Sequence, residues 1–93
     1  MAYTTIDDPS AHFQTALYTG DGAANNAITN DGNSDLQPDL VWIKNRDAAD
    51  SHCLFDSTRG ATEVLHCDAN TAETTDADTL DSFASDGFQV DAD

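Results

Sequence analysis

The chain has very few basic residues: Lys44, Arg46 and Arg59 stand against eighteen acidic ones, for a net charge of −15 over 93 residues. That balance repels a phosphate backbone and an anionic membrane surface alike, so nucleic acid is not expected as a direct ligand. Bulky apolar residues are scarce as well. Ile, Leu, Val and Phe together make 16 of 93, under the one-fifth level at which high net charge begins to oppose autonomous folding. The length supports one domain, 1–93, with a core expected to lean on neighbours. No apolar run approaches a bilayer span, and MAYTTIDDPS lacks the basic and apolar regions of a secretion signal. Neither membrane insertion nor an exported precursor is therefore expected.

Catalytic signatures are missing too: there is no G-x-S-x-G, P-loop, H-E-x-x-H or G-x-G-x-x-G. Each of those spacings builds a nucleophile elbow, a phosphate cradle or a metal pair, so their absence predicts a non-enzymatic protein with no cofactor. Carboxylates are plentiful, but nothing singles out an acid and base pair among them. Spread along the chain, they read as a solvated surface suited to high salt or divalent cations.

Helical periodicity is also absent, since no long window carries apolar residues at i, i+3, i+4 and i+7 without Gly, Pro or clustered Asp, Asn and Thr. Short apolar segments recur instead: HFQTALYT (12–19), AIT (27–29), DLVWIK (39–44), HCLF (52–55), EVLH (63–66) and GFQV (87–90). Turn-forming stretches such as GDGAANN and DSTRG separate them, which predicts a mainly β fold, a partial antiparallel β-sandwich or jelly-roll-like sheet. One helical turn is expected in DADTLDSFASDG, where Leu80 and Phe83 are three apart and Asp76 or Asp78 would cap it. In DLVWIK, Leu40 and Trp42 share one face, Val41 and Ile43 the other, so both faces are apolar and a central strand with a core Trp is expected. Pro38 suits the start of that strand.

HCLFDSTRGATEVLHC, residues 52–67, begins and ends with His-Cys. As a hairpin it has two neighbouring registers. In one, Cys53 faces His66 and His52 faces Cys67, which sends the sulfurs to opposite faces and excludes both a disulfide and a four-ligand zinc site. A one-residue shift puts Cys53 opposite Cys67, where a disulfide fits. Two reduced thiols in strands are the expectation, and the register stays open. Asp56 and Arg59 are expected to hold the intervening turn.

Asp31, Asn33 and Asp35 place oxygen ligands at alternate positions, like the first half of a calcium loop. The second half is missing, because Leu36 stands where such a loop needs Gly and Trp42 where it needs Glu. An Asp-Gly turn is the simpler reading, and no metal is assigned. Asp76, Asp78 and Asp81 make a weaker cluster of the same kind.

Three stretches, IDDPSAHFQTALYTG, ITNDGNSDLQPDLVWIKNRDAADSHCLFDSTRGATEVL and LDSFASDGFQVD, together resemble a family of virion structural, tail-fibre-like proteins of tailed, often marine, bacteriophages. QPDLVWIKNR followed by SHxLFDSxRG carries the resemblance most specifically. The resemblance implies a concanavalin- or laminin-G-like β-sandwich in a fibre, appendage or surface protein, assembled in the host cytoplasm. Its members continue past the position of Asp93 with strands that complete the second sheet, so the chain is expected to be an N-terminal portion completed by neighbours. The family has other residues where this chain has Cys53 and Cys67.

Two functions are carried forward. One is a virion component that binds other capsid or tail proteins and further copies of itself through exposed strand edges. The other is a carbohydrate-binding module for host glycans, with Trp42, Tyr18 or Tyr3 stacking on a sugar ring. Exposure of Trp42 discriminates between them.

Overall fold

In the computed structural model, which describes residues 5–92, the chain is mainly β and forms two antiparallel sheets packed as a sandwich. After a 3-10 turn at Pro9–Ala11, β1 (Asn26–Thr29) enters the first sheet. The chain then builds the second sheet as a meander: β2 (Leu40–Ile43), β3 (Cys53–Asp56), β4 (Gly60–His66) and the short β5 (Thr74–Thr75). It returns through β6 (Leu80–Ala84) and β7 (Gly87–Val90), which give the first sheet the order β1-β7-β6.

The alternation seen in the sequence decides which side chains meet. Val41, Phe55 and Val64 from the meander face Leu80 and Val90 from the other sheet, and all five are buried. Ile28, Ile43, Cys53, Ala61, Phe83 and Phe88 pack around them. Phe55 and Leu80 are fully buried, each worth about 1.5–3 kcal/mol relative to exposure. Five buried side chains make a small core, in line with the low aliphatic content.

Two expectations are corrected. The DADTLDSFASDG stretch forms β6, not a helical turn. Asp76 instead accepts from Asp78 N–H at 3.0 Å and makes a turn that leads into the strand. A bulge between Leu80 and Ser82 shifts the register against β7, so Leu80 and Phe83 both reach the core although they are three apart. HFQTALYT is not a strand: residues 13–21 carry no ladder pairing, and Phe13 and Leu17 are 73% and 76% exposed. Polar anchors hold this segment where a ladder was expected, with Gln14 Nε2 donating to the Ser10 and Ser34 carbonyls and Gln14 Oε1 accepting from Gly32 N–H.

Charge is unevenly placed along the chain. All three cations lie between residues 39 and 75, which takes in the meander and the residue before it, together with seven acidic residues. The other eleven acidic residues lie outside that span, where there is no cation.

Candidate functional site

β2 is an edge strand rather than a central one, because it pairs with β3 alone. Val41 turns inward and is buried, while Leu40 and Trp42 turn outward at 61% and 64% exposed. The expectation of a core Trp is thereby corrected. Both faces of DLVWIK are apolar as the sequence indicated, but the second apolar face looks away from the sandwich.

Register extends that face into a row. Trp42 is paired with Leu54 on β3, and Leu54 with Leu65 on β4, so Trp42, Leu54 and Leu65 run side by side with Leu40 next to them. His52 shares the surface: its ring lies 6.0 Å from that of Trp42, and its Nδ1 accepts a long 3.4 Å hydrogen bond from the indole N–H. Asp68 fixes the His52 backbone by accepting from its N–H at 3.1 Å. The outer face of the other sheet is different in kind. There Gln89 donates to Asn25 at 2.7 Å and Asp81 at 3.1 Å, with Ala27, Thr29 and Ser82 around it.

The far end of the apolar row is clamped by Arg59, which ties three segments together. Its Nε meets Asp56 Oδ2 and its Nη1 meets Glu73 Oε2, both at 2.5 Å, and its Nη2 donates to the Leu54 carbonyl at 3.3 Å. Asp56 also accepts from Arg59 N–H at 2.8 Å. That backbone bond, then the guanidinium, lowers the Asp56 pKa from its ordinary value. The role expected for this pair, holding the DSTRG turn, is what the geometry provides.

The hairpin takes the first of the two registers, with Cys53 opposite His66. Cys53 packs against the core and Cys67 is exposed in the turn after β4, so the sulfurs are on opposite faces and do not bond to one another. Tyr18 lies on the inner side, edge-on to Phe88 with ring centroids 6.1 Å apart. The two sugar-stacking candidates, Trp42 and Tyr18, therefore occupy opposite sides of the β2–β3 sheet. Tyr3 lies outside the described residues.

Asp31, Asn33 and Asp35 lie in the loop between β1 and β2. Their loop is braced by the 3-10 turn: Ser34 N–H donates to Ser10 Oγ at 2.9 Å and Ser34 Oγ to Asp8. Hydrogen bonds from Ser10 and Ser34 lower the Asp8 pKa from its ordinary value. Leu36 N–H donates to Asp86 Oδ1 at 2.9 Å, which pins the other end of the loop to the β6–β7 turn. Among the described residues no three His, Cys, Asp or Glu side chains are grouped to hold a metal ion.

The sequence singled out His52 for its neighbour Cys53, and neither its contact with Trp42 nor the leucine pair of this face was expected. Alternation in HCLF and EVLH, combined with the register that faces Cys53 with His66, would have placed Leu54 opposite Leu65. The chain belongs to a family described as a domain of unknown function, DUF7483, whose model matches residues 8–93. No curated protein and no solved structure matches it.

Proposed function

We propose that this domain is a non-enzymatic structural module of tailed-bacteriophage particles, which assembles with further copies of itself and with other virion proteins through the outer face of the β2–β5 sheet. One observation carries this: that face presents Leu40, Trp42, Leu54 and Leu65 as one apolar row, while the corresponding face of the other sheet is polar. A central aromatic anchor among aliphatic side chains, with charge kept to the margin, is the composition of an interface core. The virion setting rests on the resemblance of QPDLVWIKNR and SHxLFDSxRG to phage structural proteins. The open edge of β2 is a second place for a partner strand to add.

Analytical ultracentrifugation tests the reading. The chain should sediment as an assembly at micromolar concentration, burying about 1,200 Å² or more per contact. Trp42→Ala combined with Leu40→Ser should return it to monomer with unchanged circular dichroism. A cooperative, well-folded monomer of the unaltered chain would overturn it.

A second reading, a glycan-binding module, is favoured by the 64% exposure of Trp42 beside His52, since an open indole face suits sugar stacking. Trp42 is the chain's one tryptophan, so its fluorescence reports on this face alone. A saturable change on adding host-surface glycans, abolished in Trp42→Ala, would put this reading first.

A further inference from the structure

Cys53 and His66 stand opposite each other on β3 and β4, on the inner side of the sheet. Cys53 Sγ is 4.0 Å from His66 Nδ1 and 3.9 Å from the Ser51 carbonyl. His66 Nδ1 is in turn 3.3 Å from the His52 carbonyl. Both contacts fall on the same ring nitrogen, so Nδ1 lies between the thiol it can deprotonate and a carbonyl that can accept from it. A proton on Nδ1 satisfies both neighbours at once, donating toward the His52 carbonyl and toward the sulfur. The neutral alternative serves only one of them, because Nδ1 cannot accept from the thiol while donating to the carbonyl.

Access is provided by the shape of the sandwich. Cys53 and His66 line a wide open cleft of about 1520 Å³ between the 12–22 segment and the β2 end of the sheet. The ionisable groups around it are His12, Tyr18 and Asp21 from that segment, Asp39 before β2, Lys44, Arg46, Asp47 and Asp50 after it, His66 from β4 and Asp91 after β7. The Tyr18 pKa is raised by burial first and then by the charge of Cys53, which places the phenol within electrostatic reach of the sulfur. Lys44 and Arg46 border the cleft but are outnumbered by its five aspartates, so the group that holds a thiolate at Cys53 is the His66 ring beside it.

We propose that Cys53, activated by His66, is a thiol-modification site that takes small neutral electrophiles through this cleft. His66 accepts the thiol proton, and the resulting imidazolium holds the thiolate until it attacks. Anionic reagents are disfavoured by the net charge of −15. Cys67, exposed in the turn and without this arrangement, is an internal reference within the same molecule.

Iodoacetamide is the probe: the Sγ–carbon bond forms as the carbon–iodine bond breaks, iodide leaves, and the proton held by His66 passes to solvent. Peptide mass spectrometry on the intact reduced chain follows both sites over time. At about pH 7 Cys53 should be alkylated about tenfold faster than Cys67, reversing their order of exposure, and its rate should plateau at a pH where that of Cys67 is still rising. His66→Asn should remove the advantage and give Cys53 the pH profile of an ordinary thiol. Cys67 reacting first in the unaltered chain would overturn the proposal, and that comparison does not depend on any variant folding. An unchanged Cys53 rate and pH profile in a folded His66→Asn protein would overturn it equally.

Discussion

Gly87 touches Ile28 backbone to backbone: a Cβ placed on Gly87 would lie 1.9 Å from the Ile28 carbonyl oxygen. The contact belongs to the ladder that closes the first sheet, where β1 meets β7 and an early segment is joined to a late one. Gly87 also has φ 145°, a conformation that L side chains rarely adopt. Gly87→Ala must therefore open the β1–β7 ladder. The expected cost is about 3 kcal/mol or more, a fall of at least about 12 °C in melting temperature for a domain this small. Gly60→Ala is the control, since Gly60 also has positive φ (114°) but nothing within 4 Å of a new Cβ. It should cost only the backbone strain, about 1–2 kcal/mol.

Asp56 sets a pH dependence. Its folded pKa lies below the unfolded value, so the folded state binds its proton less readily. The stability it contributes is full above the unfolded carboxylate pKa and is lost as pH falls through the folded one. Asp56→Asn removes the charge and keeps an oxygen that can accept from Arg59 N–H. The variant should melt below the unaltered protein at neutral pH, and the gap should close once the pH drops well under about 4. A gap that stays constant across thermal melts from neutral to acid pH would contradict the ion pair.

Cross-linking checks the hairpin register. With Cys53 opposite His66, His66→Cys in a Cys67→Ser background places two sulfurs on one face of paired strands, within disulfide reach. Mild oxidation should give a 53–66 cross-linked peptide and a mass two hydrogens lighter. The same treatment of the native chain should give no 53–67 link within the monomer.

Strands were legible in the sequence wherever alternation was regular. DLVWIK, HCLF, EVLH and GFQV all lie at strands of the sandwich, and AIT falls within β1. Bulges hid the rest. Leu80 and Phe83 share a face because the register slips between them, and a single sequence shows such a pair as helical spacing. HFQTALYT has the alternation of a strand but makes its contacts through Gln14 and Tyr18 instead of a ladder. For the site, the two-faced apolar character of DLVWIK was visible, but which face the sandwich would cover depended on the neighbours of β2. In a two-layer sandwich only the inner face of β2 is covered, which leaves Trp42 in solvent, while a strand between two layers would have buried it.

The charge of the chain has a consequence for matter in bulk. An assembly that seated its subunits on the leucine and tryptophan face would still carry the net charge of −15 of each one. Each particle then carries a shell of fixed negative charge, which in dilute salt repels other particles over the Debye length. In brine that range contracts to about 3–5 Å, and dispersal there falls to the water held by the carboxylates. In that arrangement the domain would act as an amphiphile frozen into a fold, adhesive on one face and charged over the rest.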